Sequence, residues 1–168
     1  MLQLSEPKVI ERGPYQVVGC YARYEGEDEG PGWRGASDAF FGREGEVVNR
    51  ADDKTLGFLH RPNKDDPTVD PEVRACFVGA EVTDLAHVPE GMATTRFPGG
   101  QYVIVACQGD TEGEAAMGVG EAIGMLMSKW IPENGYREGG ACFACSLPAE
   151  QKPPYVEYVY IHIEPLDG

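Results

Sequence analysis

Basic residues are scarce: 14 Lys and Arg stand against 28 Asp and Glu, a formal charge of −14 over 168 residues. Such a field repels phosphate backbones instead of neutralising them, which speaks against direct nucleic-acid binding. It would concentrate cationic molecules, although a negative surface is first of all a solubility device. Long hydrophobic runs are missing as well. Nowhere are there about 18 uninterrupted apolar residues, so no transmembrane helix is expected. The opening Met1-Leu2-Gln3-Leu4-Ser5-Glu6 has neither the basic nor the apolar segment of a secretory signal. A cytoplasmic chain with no membrane contact is expected.

Histidine is sparse too. His60, His87 and His162 are dispersed, so no local metal motif forms, and no Ser-His-Asp arrangement can be read without tertiary contacts. Gly118-Val119-Gly120 lies in a helix-like run with no preceding strand and turn to cradle phosphate. No metal and no cofactor are expected. The five cysteines, an odd number, sit in apolar strand-like runs, which suits buried thiols better than bridges. Cys142-Phe143-Ala144-Cys145 has the spacing of a redox or zinc half-site. A second pair is lacking, and strand alternation would send its two thiols to opposite faces.

Against these absences stand 42% hydrophobic and 25% charged residues, ordinary globular composition, on a chain long enough to bury a core. Residues 8–24 read as two short strands or one bent one, interrupted by Gly13-Pro14. An acidic, glycine-bounded loop follows. Residues 33–48 then carry Trp33, Ala36, Phe40 and Val47 or Val48 at spacing that allows an amphipathic helix, weakened by Gly35, Gly42 and Gly45. Strands are expected at 55–60 and 72–82, joined by the polar, proline-broken connection 61–67. Residues 84–91 read as a linker.

The same order then begins again. In residues 93–108, Phe97-Pro98-Gly99-Gly100-Gln101-Tyr102-Val103 stands where Gly13-Pro14-Tyr15-Gln16-Val17-Val18 stood before. A second acidic loop precedes a helix over 114–130, with Ala116, Val119, Ile123, Leu126 and Trp130 at helical spacing. Pro132 and Gly135 end it, and strands are expected at 141–147 and 155–164. Two units of about 80 residues in one element order imply duplication within a single domain spanning 1–168. Unit one covers about 7–83 and unit two about 91–164. The expectation is an α+β fold: duplicated strand-helix-strand-strand units with pseudo-twofold symmetry, an antiparallel sheet, two main helices and a pocket between the halves.

The second half carries a specific resemblance. Val78-Gly79-Ala80-Glu81-Val82, Val88-Pro89-Glu90-Gly91-Met92, Phe97-Pro98-Gly99-Gly100-Gln101-Tyr102 and Trp130-Ile131-Pro132-Glu133-Asn134-Gly135-Tyr136 occur in an order and spacing similar to the GyrI-like family. That family includes effector-binding domains of AraC-type and MerR-type multidrug regulators. The motifs cover residues 75–164, while 7–82 matches by element order. The resemblance implies a polyspecific pocket for bulky, aromatic, often cationic compounds. It also implies a buried acidic residue in the last strand, followed by aromatic and apolar positions and then proline. Here His162 takes the proline's place, and alignment on it puts Tyr158, not Glu157, at the acidic position. Relatives within regulators carry a helix-turn-helix, for which the recognised elements leave no room here.

Period-two alternation places Tyr158, Tyr160 and His162 on one face of the last strand and Glu157, Val159, Ile161 and Ile163 on the other. A carboxylate held in an apolar cleft by a bulge would be a cation receptor or an acid/base, whereas a strand-end Glu157 reaching water would be neither. Glu81 is the second candidate counter-charge, and its structural alternative is a solvated sheet face. Trp33, Phe40, Phe58, Trp130, Phe143, Tyr158 and Tyr160 are candidate ligand walls, where ring-face contact with a cation contributes about 0.5–2 kcal/mol, or plain core.

Three functions follow. The first is a stand-alone binding protein for bulky aromatic, cationic compounds. The second, implied by the resemblance, is a hydrolase opening cyclopropane-containing genotoxins, with Glu157 activating water and Tyr158 or Tyr160 steadying the leaving phenolate. The third is a protein-interaction role like that of the family's gyrase inhibitor, using the acidic surface against a basic, DNA-handling partner.

Overall fold

Two helices approach their strands through small residues at matching spacing. In a computed structural model, which describes residues 1–60, 74–146 and 152–167, helix α1 (Gly30–Phe41) buries Gly32, Ala36 and Phe40. Helix α2 (Glu112–Met125) buries Ala115, Gly118 and Ala122, and Leu126 continues the stripe. Gly32, Ala36 and Phe40 thus match Gly118, Ala122 and Leu126 in four-residue steps, the repeat that strand order had already suggested. A Cβ added at Gly32 would lie 2.9 Å from Cys76 Sγ, and one at Gly118 would lie 3.0 Å from Cys107 Cβ. The glycines that weaken these helices by propensity are the ones that let them dock.

The strands are β1 (Gln3–Leu4), β2 (Lys8–Arg12), β3 (Tyr15–Tyr24), β4 (Thr55–His60), β5 (Arg74–Glu81), β6 (Ala93–Phe97), β7 (Gly100–Gly109), β8 (Tyr136–Ser146) and β9 (Tyr155–Pro165). The chain forms two compact units, Met1–Tyr15 with Phe97–Gly168, and Gln16–Arg96. In the first, β1 and β2 both pair antiparallel with β7, followed by β9 and β8. In the second, the order is β4, β5, β3, β6, with β4–β5 and β3–β5 antiparallel. The leading strand of each repeat is therefore built into the other repeat's unit: β2 pairs with β7, and β6 lies beside β3.

This is the expected α+β fold of antiparallel strands with two main helices. Some boundaries differ. Helix α1 starts earlier than the apolar spacing indicates, because Pro31 can occupy the first turn, where its missing N–H is no loss. It ends at Phe41, and Glu44–Glu46 form a separate 3₁₀ turn that brings Val47 into the core. Helix α2 starts at a capping-box sequence: Thr111 Oγ1 accepts from the Glu114 N–H at 3.1 Å, and the Glu114 carboxylate accepts from the Asp110 N–H at 2.7 Å. Residues 93–108 form two strands, as residues 8–24 do. The connection 61–67 and the strand end at 147 lie outside the described residues. No described helix is long and apolar enough to cross a membrane.

Each helix covers one face of its sheet. Under α1 lie Val18, Cys20, Cys76, Val78 and Ala80, and under α2 lie Val103, Val105, Cys107, Val159, Ile161 and Ile163. Strand alternation sends the intervening side chains to the opposite faces. Gly118→Ala should lower stability by about 1–3 kcal/mol through overpacking against β7. Gly120→Ala, where a new Cβ meets nothing within 4 Å, should raise it by about 0.5–1 kcal/mol. Denaturant midpoints moving in opposite directions would check both.

Candidate functional site

On the face of the first unit turned away from α2, cross-strand register assembles a cluster of rings. Tyr102 pairs with His162, Ile104 with Tyr160, and Ala106 with Tyr158. On the far side of β9, Phe143 pairs with Tyr160 and Cys145 with Tyr158. Phe143 is the hub. It stacks on Phe97 at 4.9 Å and on Tyr160 at 5.0 Å, while Tyr15 meets it edge-on at 5.1 Å. Tyr15 also makes edge contacts with Tyr102 and Tyr160. Such offset and edge geometries are the favoured arrangements of ring quadrupoles.

Burial keeps two of the cluster's hydroxyls protonated. The Tyr102 hydroxyl donates to the Pro98 carbonyl at 2.6 Å, and burial pushes its pKa up to about 12. Burial raises the Tyr15 hydroxyl further, with Arg12 opposing. The Arg12 guanidinium carbon lies 3.4 Å from the centre of the Tyr15 ring. His162 is buried between two glycines: its Nδ1 lies 3.2 Å from the Gly139 carbonyl oxygen, and a Cβ at Gly100 would come within 3.1 Å of its Nε2. The register shift between Glu138 and Cys142 accommodates the ring, which is the local reason for glycine at 139.

The second unit has its own ring pair on the face away from α1. Phe58 stacks on Phe77 at 4.6 Å. The Phe77 ring lies over the paired glycines Gly19 and Gly79, 2.8 Å from where a Cβ on either would be. Glu81 is on this face, half-buried, because its neighbours Ala80 and Val82 belong to the α1 core. Its backbone is fixed by pairing with Val17 and by the Ala51 N–H donating to its carbonyl at 2.8 Å.

The other candidate residues lie on the helix sides. Phe40 is in the α1 core, and Trp33 packs against that core and over Gly57. Trp130 stacks on Tyr136 at 5.9 Å against the α2 core. Glu157 is half-buried on the α2 face, opposite Cys107 in register. No register shift interrupts β7–β9 there, so Glu157 faces away from Tyr158 and Tyr160. Burial raises its pKa, with repulsion from Glu112 adding to the shift. Its charge contributes with Glu121 to a Cys107 thiol pushed up, mainly by burial, to about 11. Cys142 packs on the α2 side while Cys145 pairs with Tyr158. Among the described residues, no three His, Cys, Asp or Glu side chains gather as a metal site would require. His162 lies on the face that alternation gives it, while Tyr15, Phe97, Tyr102, Phe77 and Arg12 complete the two faces and were not among the sequence candidates. Alternation in β7 flags Tyr102, but the contacts of the others depend on register and turn geometry.

A sheet with one helix-covered face and one ring-rich face in each of two repeats is the frame of a small-molecule-binding domain. The chain belongs to the GyrI-like family: residues 5–164 match the model of the GyrI-like small molecule binding domain. No curated protein sequence matches the chain significantly. Among solved structures, that of SAV2435 bound to tetraphenylphosphonium is similar at 12% identity and TM-score 0.65, covering 97% of this chain and 96% of that one. The EcmrR C-terminal domain is similar at 14% identity and TM-score 0.61, covering 98% and 99%. A hydrolase from Listeria innocua is similar at 13% identity and TM-score 0.53, covering 94% and 91%. At such identities these structures share the fold.

Glu157 carries a pH signature. With its pKa raised on folding, it opposes stability when ionised, and this cost disappears as pH falls toward the ordinary carboxylate value of 4.5. Glu157→Gln should therefore melt higher than wild type at pH 8, the gap closing near pH 4. Melting curves across that range would check it.

Proposed function

We propose that this chain binds bulky, aromatic, positively charged small molecules in the cytoplasm. One observation carries the reading: within the ring cluster, a guanidinium already rests 3.4 Å over the Tyr15 ring, so the cluster presents a π face at which a cation is stabilised. Tyr158 and Tyr160, half-buried on the same face, offer the accessible edge of that wall. The family's description as a small-molecule-binding domain supports the reading. So does the tetraphenylphosphonium bound by SAV2435, itself a bulky aromatic cation. The net charge of −14 favours the approach of cations.

Phe143 and Phe58 act by holding Tyr160 and Phe77 in stacks, while Trp33, Phe40 and Trp130 maintain the helix-side cores. A hydrolytic role for Glu157 would require its carboxylate and a hydroxyl of Tyr158 or Tyr160 to reach one substrate from opposite faces of β9. Ligand binding needs no such step.

Titration with tetraphenylphosphonium or a rhodamine dye should give saturable binding. Tyr160→Ala should weaken it about 3- to 30-fold, as loss of one ring contact implies. Glu157→Gln should leave affinity unchanged. No saturable binding of any aromatic cation would overturn the assignment.

A further inference from the structure

Along the ring-bearing face of the first unit, exposure changes from one strand end to the other. Tyr102, Phe143 and His162 are buried, whereas Ile104, Ala106, Tyr158 and Tyr160 are half-buried. At this more open end, Ala106 and Tyr158 are register partners. Alanine is depleted in strands, yet it stands here in a strand paired on both sides. Its same-face neighbours along β7 are the longer Ile104 and Gln108, each two residues and so about 6.6 Å away. On the β1 side, Ser5 turns its hydroxyl back to the sheet and accepts from the Ala106 N–H at 2.8 Å, raising no bulk above it. A recess floored by the Ala106 methyl group therefore lies beside Tyr158.

Tyr158 differs from the other rings of this face. Tyr15, Phe97, Tyr102, Phe143 and Tyr160 each lie against at least one other ring, and among the described residues Tyr158 lies against none. Its register partners, Ala106 on one side and Cys145 on the other, offer no π face. A half-buried ring beside a shallow floor is one half of a stack, and the other half must come from outside the described residues. We propose that this recess seats one aryl arm of the ligand against Tyr158, and that the shortness of Ala106 sets which arms are admitted. The proposal rests on the binding function assigned above and names the ligand class: cations whose charged centre carries separate aryl arms, bound in preference to cations of equal charge with alkyl arms. A larger side chain at 106 would fill the space the arm needs.

Tetraphenylphosphonium and tetrabutylphosphonium carry the same charge and differ in whether their arms are rings. In calorimetric titrations the wild-type chain should prefer the aryl ion. Tyr158→Leu, which keeps apolar bulk, should weaken tetraphenylphosphonium about 2- to 12-fold, the range one aromatic pair supplies, and leave the butyl ion nearly unchanged. Ala106→Leu should weaken the aryl ion at least as much, while Ala106→Gly, which keeps the recess open, should still bind it. If Ala106→Leu fails to fold, Ala106→Val closes the recess with a side chain that strands favour. A wild-type preference for the butyl ion, full aryl affinity in the chain with the recess filled, or equal weakening of both ions by Tyr158→Leu would each overturn the proposal. The binding function would stand in those cases as long as Tyr160→Ala still weakens tetraphenylphosphonium. Failure of both ions to bind the wild-type chain would remove the site itself, and the proposal with it.

Discussion

Everything in this molecule follows from how closely two helices lie on their strands. Gly32 and Ala36 bring α1 down onto Cys76 and Val78, and Gly118 and Ala122 do the same for α2 over Cys107 and its neighbours. The strand residues beneath the helices are mostly Val, Ile, Ala and Cys, with Tyr24 packed beside Gly32 and Leu4 beside Gly118. Period-two alternation sends the intervening side chains to the opposite face. The aromatic clusters around Phe143 and Phe77 lie on the faces opposite the helices.

The same logic sorts the ionisable groups. Glu157 falls among the α2-facing residues and bears a destabilising desolvation, whereas Glu81 falls on the ring-bearing side of its own unit. Tyr158 falls on the ring side of the last strand and Glu157 on its helix side. The cation that the rings do hold is supplied by the chain itself, from the end of β2.

Much of this was legible in the sequence. The duplicated element order, the helix after Asp110 and the faces of the last strand all follow from periodicity and turn residues, and they are present. The first helix was read too late because apolar spacing marks what a helix buries and not where it starts. Its start depends on Pro31 and on glycines that propensity counts against a helix. Helix-side Trp33 and Trp130 could not be told from ligand walls, since an aromatic at helical spacing serves either purpose. The ring cluster was the least legible part. Tyr15, Phe97 and Phe143 lie far apart in sequence and meet only through register and two proline-glycine turns.

The exchange of leading strands has a consequence for how the chain is held together. A cut within residues 84–91 would divide the gene product at the boundary between repeats, yet neither fragment would own all the strands of a compact unit, because β2 stays with the first and belongs to the second's sheet, and β6 the reverse. Each fragment would present an unpaired strand edge that the other one fills. The two fragments would therefore regain their full set of strands only together.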